Sequence, residues 1–214
     1  MRNINNPVVL GNRHLDPETV ETMELAFDYR PANDLKLGLN MFSYEWNDII
    51  VFVADPGGTT RTARNVGEQT GAGVEMEVDW RPFRKLQLIA NYAHQQSTNE
   101  TAGAPAGNAP RNQLYMRATW KFRPDWSLTA QANRVMDRRR APGDSRPKID
   151  DYTLVDLVVR RERVKRDWDL ALIVKNLFDA EAREPSPQGD LAAPIPNDLP
   201  LAGRAVFGEV RYYF

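Results

Sequence analysis

One pattern constrains this chain more than any other: apolar and polar residues alternate with a period of two, in stretch after stretch. The last seven residues, "GEVRYYF", show it in miniature. Val210, Tyr212 and Phe214 share one face of a strand, and Glu209, Arg211 and Tyr213 share the other. Elsewhere Met23, Leu25, Phe27 and Tyr29 alternate with polar or small residues, as do Leu35, Leu37, Leu39 and Met41. Val74, Met76, Val78 and Trp80 oppose Gly73, Glu75, Glu77 and Asp79, and Leu114, Met116, Ala118, Trp120 and Phe122 oppose Gln113, Tyr115, Arg117, Thr119 and Lys121. With 85–95, 126–133, the less regular 152–160 and 168–177, and 204–214, about nine strands are predicted, and no segment has a helical period.

A soluble sandwich also alternates, so the face opposite the apolar one decides. It carries charge at successive alternate positions, and several stretches approach the ~9–11 residues of a tilted membrane strand. The connections alternate in length. "RPAND", "RPFRK", "FRPDW" and "RERVKRD" are short, whereas 54–64, 97–110, 136–150 and 179–203 are long and rich in Gly, Pro, Asn and Asp. That asymmetry belongs to outer-membrane barrels. Mean hydropathy is −0.57, which is compatible with a barrel because half of each strand faces a polar interior.

Arg30-Pro31, Arg81-Pro82 and Arg123-Pro124 recur, and each is expected to open a short turn, where Pro presets φ. Around these turns Tyr29, Trp80, Phe122 and Trp126 fall on the apolar face, as do Trp168, Tyr212 and Phe214. Aromatic residues at one level of one face form the girdle of a membrane–water interface. The predicted fold is therefore all-β: an antiparallel transmembrane β-barrel, here partial, as a curved open sheet or an imperfectly closed one.

Four stretches stand out as motifs: "NPVVLGNRHLDPETVETMEL", with Asn6, Pro7, Leu15, Pro17, Glu18, Glu21 and Glu24; "NVGEQTGAGVEMEV", with Asn65, Gly67, Gly73 and Glu75; Asn176, Leu177, Phe178 and Asp179; and the chain end, with Gly203, Arg204 and Phe214. On these motifs the chain resembles the C-terminal barrel portion of a TonB-dependent outer-membrane receptor, the third resembling the end of the family's penultimate strand and the fourth its last strand. The family's Tyr soon after the third motif is replaced by Ala180-Glu181-Ala182-Arg183. The resemblance implies a bacterial outer-membrane location and a barrel of about 22 strands closed around a plug. Residues 1–214 are expected to be the C-terminal part of such a barrel, without plug, energy-coupling box or signal peptide. The implied partners are outer-membrane lipid, the barrel-assembly machinery, a missing N-terminal barrel and plug, and TonB, reached only through that plug. By the same resemblance Val206, Val210, Tyr212 and Phe214 form an assembly signal at the chain end.

Residue chemistry offers little for catalysis. The two His, His14 and His94, have no Ser-His-Asp spacing around them, and Glu75, Glu77 and Asp79 line one strand face rather than form an acid–base pair. No Cys is present, which excludes a thiolate metal site. No metal, cofactor or enzymatic activity is expected, and a net charge of −1 gives no field for nucleic acid. The main basic cluster, "MDRRRAPGDSRPK", holds Arg138, Arg139, Arg140, Arg146 and Lys148 in a long connection. Guanidinium forks there suit anionic ligands such as ferric chelates or lipid phosphates; the competing reading is a solvated loop balanced by Asp137, Asp144, Asp150 and Asp151. The expected function is active import of a ferric siderophore or similar scarce nutrient. The alternatives are a passive or structural barrel piece without ligand, a non-functional truncated product, and a soluble carbohydrate-binding module.

Overall fold

The computed structural model describes residues 8–164, 167–186, 195 and 197–214. Asn6, Pro7, Lys165 and Arg166 lie outside the described residues, as does part of the 179–203 connection. Among the described residues nine long strands are present: β1 (Thr19–Ala32), β2 (Leu35–Ala54), β3 (Arg61–Phe83), β4 (Leu86–Asn99), β5 (Pro110–Arg123), β6 (Trp126–Arg138), β7 (Tyr152–Val164), β8 (Trp168–Lys175) and β9 (Ala205–Tyr212). They pair antiparallel in chain order, in one sheet that is open at β1 and at β9.

The alternation sorts the side chains onto two unlike faces, and the register shows it directly. A single row of paired residues crosses all nine strands: Ala32, Leu35, Trp80, Leu88, Ala118, Ala130, Leu157, Val174 and Val206. Every member is apolar. The row starts beside a short turn on β1 and β2 and reaches the opposite ends of β8 and β9. Such a stagger is what strands tilted against a barrel axis produce. One residue along lies a row of the other kind: Lys36, Asp79, Ile89, Arg117, Gln131 and Asp156. Near β7 to β9 the inner face becomes mixed, because Val158, Ile173 and Phe207 pair on it. That mixing is why the alternation in 152–177 is weak in the sequence.

Among the described residues no second layer packs against the apolar face. Among the described residues the only buried apolar ones are Ala63, Val135, Ile149, Ala171 and Ala182. Met76, Met116, Leu172, Val206 and Val210 are exposed. A soluble sandwich would bury this face against a second sheet; here its solvent is of another kind.

At the short-turn end the chain repeats one device. The N–H of Arg81, Lys121, Glu162 and Tyr213 donates to the carbonyl of Asp34, Lys85, Asp125 and Asp167, each in the turn of the preceding hairpin, at 2.7–2.8 Å. The sequence led us to expect Pro31, Pro82 and Pro124 each to open a turn. Pro31 and Pro82 instead sit inside β1 and β3, at register shifts between Tyr29 and Ala32 and between Trp80 and Phe83. A proline has no N–H to lose where the ladder is broken, and the turns themselves are the two residues that follow each strand, 33–34 and 84–85. Pro124 does lie in its turn, at 124–125. The aromatic residues gather here. Trp168 and Tyr212 have ring centroids 4.7 Å apart, Tyr212 and Phe214 meet edge-on at 5.1 Å, and Trp120, Phe122 and Trp126 stand in series. Arg161 lies over the Trp126 ring at 5.4 Å, a cation set at the level of the girdle.

The first long connection is shorter than expected. Residues 47–54 and 61–64 continue the strands, leaving only 55–60 as the turn. Ile49–Val53 is apolar without alternation and β-branched except at Phe52, and Asp48 takes φ 58° at an irregularity that shifts the register. The extended hairpin is closed by Asp55, whose carboxylate accepts from Thr60 and Thr62 at 2.8 and 2.9 Å and is held below its ordinary range by those bonds.

Candidate functional site: the inner wall and the long-loop end

Three sets of residues carry the polar chemistry. The first is the inner wall. Glu75, Glu77 and Asp79 follow one another along β3 on the polar face, beside Asn40, Gly38 and Lys36 of β2. Asp79 accepts from Gln87 at 3.0 Å, and Gln131 and Lys175 converge on Asp156 at 2.8 and 2.7 Å. Toward the chain end Arg160 bonds Glu209 at 2.7 Å, and the Tyr213 hydroxyl bonds Asp169 at 2.7 Å. Higher on the same wall the glycines have a steric task. A Cβ on Gly71 would meet the Tyr44 ring at 2.4 Å, and one on Gly73 the Phe42 ring at 2.5 Å. Two aromatic side chains of β2 thus lie flat across β3, and only glycine leaves them room.

The second set contains the residues behind the family resemblance, and the structure brings them together in pairs. Asn65 donates to the carbonyls of Asp16 and Asp48 and accepts from the Asp16 N–H, all at 2.8–2.9 Å. Glu18 accepts from Ile50 N–H at 2.7 Å. The segment from Val8 to Glu18 is thereby tied along the β2–β3 hairpin, where Val9–Leu10 pairs parallel with Arg61 and Thr62. Asn176 ends β8 with φ 47°; its side chain accepts from Ala180 N–H and donates to the carbonyls of Ala180 and Ala202. Asp179 accepts from Arg204 N–H at 2.7 Å, and a Cβ on Gly203 would lie 3.1 Å from the Asp179 carboxylate. Asn176, Asp179, Gly203 and Arg204 therefore form one joint that sets β9 beside β8. Leu177 joins it through its N–H, bonded to Val155, while the Phe178 side chain is exposed.

The third set is the basic cluster. Arg138, the last residue of β6, contacts Glu184, which also accepts from the Tyr152 hydroxyl at 2.6 Å. Arg140 is paired with Asp198, Arg146 with Asp144, and Lys148 with Asp137 at 3.0 Å. Arg139 is exposed, and among the described residues no carboxylate lies within ion-pair distance of it. Arg146 lowers the Asp144 carboxyl from 3.8 to about 2, and Arg140 pulls Asp198 down further still. Of the two His, His94 shares the Oδ1 of Asn112 with the Tyr92 hydroxyl, at 2.8 and 2.7 Å, on the apolar face. The His14 backbone N–H donates locally to the Asn12 side chain.

Val206, Val210 and Tyr212 stand on the outward face of β9, whose far edge is unpaired, and Phe214 is fully exposed. Sequence reasoning missed Asp198, Ser186, Glu184 and Tyr44. Tyr44 was within reach, since its position opposite Gly71 follows from the hairpin register. The other three were not, because nothing local links Asp198 to an arginine 58 positions away.

Residues 2–177 match the family model described as TonB dependent receptor-like, beta-barrel. No curated protein matches the chain. Among solved structures, the ferric enterobactin receptor of Pseudomonas aeruginosa, in a variant bound to enterobactin, superposes with TM-score 0.78 at 22% identity over 95% of this chain and 32% of that one. The copper transporter OprC gives TM-score 0.72 at 20% identity, over 94% and 32%. The ferric-catecholate import receptor Fiu of E. coli K12 gives 0.71 at 18%, over 94% and 28%. The chain thus spans about a third of the length of these structures, and at such identities the likeness is one of fold.

Proposed function

The chain belongs to the TonB-dependent receptor-like β-barrel family of bacterial outer-membrane transport receptors, and from that premise we propose that it forms the C-terminal wall of an active importer for a ferric siderophore or similar scarce nutrient. The observation that carries the proposal is the nine-strand apolar row set against a polar inner face. One face meets lipid, and the other lines a passage. Lipid cannot hydrogen-bond backbone groups, so the edges of β1 and β9 need further strands. Nine is odd, so the two edge strands run the same way, and antiparallel closure takes an odd number of additional strands. A family barrel of about 22 strands supplies thirteen. On this reading the rest of the barrel and a plug belong to the same receptor. TonB acts through the plug, the short turns face the periplasm, and the long connections face outward. Val206, Val210, Tyr212 and Phe214 then present the barrel-assembly machinery with alternate apolar side chains along an unpaired edge, as strand addition requires.

A second reading has its own support. Four of the five cations of the basic cluster are paired with carboxylates, so this sector can serve as structural wall while ligand is bound elsewhere. Uptake of radiolabelled ferric catecholate, ferric hydroxamate and copper by cells with and without the gene separates the two. Import that disappears with the gene and with a protonophore supports the importer. Unchanged uptake of all three overturns it. Normal affinity after replacing Arg139 and Lys148 by Gln assigns this sector to the wall.

A further inference from the structure

The long connections after β6 and β8 are joined through one carboxylate, and backbone contacts bring in the connection after β4. Asp198 accepts two parallel hydrogen bonds from Arg140, Nη1 to Oδ1 at 2.7 Å and Nη2 to Oδ2 at 2.6 Å. This is the bidentate fork that a guanidinium makes with a carboxylate. The same carboxylate lies 3.5 Å from Arg146 Nη1 and accepts the Ser186 N–H at 3.1 Å. Arg146 also donates to the Ser186 carbonyl and hydroxyl, both at 2.8 Å, and to Asp144 at 2.6 Å. Arg140 completes its fork by donating Nε–H to the Pro147 carbonyl at 2.7 Å.

These groups are sheltered. The Arg140, Asp198 and Asp144 side chains are 8%, 10% and 3% exposed, and Arg146 is 20% exposed. Exposed ion pairs add little, because water and side-chain entropy cancel the attraction. A sheltered pair whose remaining donors and acceptors are filled is different: removing one member strands a buried charge.

The tie reaches structure on both sides. Beyond Asp198, Arg183 pairs with Pro200 and Glu184 with Leu199, Leu201 N–H bonds the Ala182 carbonyl, and Arg183 bonds the Asn197 carbonyl at 2.7 Å. Beyond Arg140, the Asn108 N–H donates to the Arg139 carbonyl at 2.7 Å. A Cβ on Gly107 would lie 2.2 Å from the Arg140 carbonyl oxygen, so the two backbones are in direct contact. We infer that the segments 107–109, 139–148, 182–186 and 197–201 form one ion-locked body that moves as a unit, with Asp198 as its positioning residue. The unit is a fixed shoulder over β5 to β9 rather than three independent loops, and it stands whatever ligand the receptor takes.

The test is a distance distribution in the membrane-inserted protein. These 214 residues contain no cysteine, so Ser145→Cys and Asn197→Cys, both at exposed positions, accept a nitroxide pair for pulsed electron resonance. The wild type is expected to give one narrow distance. Asp198→Asn keeps the shape and removes the charge, and is expected to widen the distribution about twofold or more as the freed loops sample independent motion. Arg140→Met reads the same tie from the opposite side if Asp198→Asn does not insert, which heat-modifiable migration reports. Asp150→Asn, exposed and outside the network, leaves the width unchanged. A broad wild-type distribution, or an Asp198→Asn distribution as narrow as the wild type, overturns the inference. Neither result depends on transport, so the importer reading fails or survives separately.

Discussion

The ring of Tyr44 fills the space that a side chain at position 71 would need: a Cβ on Gly71 would sit 2.4 Å from its Cε1. The two residues face each other across β2 and β3 on the polar wall, and the Tyr44 hydroxyl accepts from Gln69 at 2.8 Å. Gly71→Ala is therefore expected to destabilise the barrel by roughly 1–3 kcal/mol through overpacking. Tyr44→Ala removes the clash, so the double substitution should cost less than the sum of the two. Urea unfolding in detergent micelles measures all three, and strict additivity would refute the contact.

The orientation of the hairpins follows from their unequal connections. Cysteines at Ser145, in a long connection, should react with an impermeant maleimide added to intact cells. Cysteines at Asn33 and Arg84, both exposed in short turns, should react only after the outer membrane is opened. The reverse labelling pattern would invert the assignment.

The loop body has a pH dependence whose sign is fixed. Asp144 has its carboxyl lowered from 3.8 to about 2, first by its hydrogen bond from Arg146, and Asp198 is lowered further, first by Arg140. A carboxylate lowered in the folded state stabilises above its unfolded value and loses that contribution as pH falls through the folded one. The Ser145–Asn197 distance should thus stay narrow down to about pH 4 and widen only as pH falls toward 2. Widening near neutral pH would mean that other groups hold the loops.

Much of this fold was legible because a period of two is a local signal. Leu114, Met116, Ala118 and Trp120 announce their face without reference to any other strand, and pairing in chain order then aligns them with Leu88 and Leu128. Legibility faded where the inner face turns apolar, at Val158, Ile173 and Phe207, since both faces then look alike. It failed at 47–54, where a bulge at Asp48 breaks the parity. The basic cluster was visible as composition, but its partners were not: Asp198 and Glu184 lie far along the chain, and only the fold brings them to Arg140 and Arg138.

Phe214 separates an assembly role from an interfacial one. Its ring meets Tyr212 edge-on at 5.1 Å, and Tyr212 in turn lies 4.7 Å from the Trp168 ring. If Phe214 is only a girdle residue, deleting it costs interface burial of about 1.5–3 kcal/mol and leaves insertion normal. The assembly role predicts slower insertion in a pulse-labelling experiment, with near-normal heat resistance of barrels already in the membrane. Insertion of the deletion variant at the wild-type rate would rule that role out.

The most direct measurement of the account is which residues touch lipid. Single cysteines at Leu39, Met76 and Met116, and at Glu77 and Arg117 on the other face, are labelled with a small fluorophore, and the membrane-inserted protein is reconstituted with brominated lipids. The account predicts strong quenching at the first three positions and little at the last two, since the two sets lie on opposite faces of one sheet. Equal quenching at both sets, or quenching confined to Glu77 and Arg117, would contradict it.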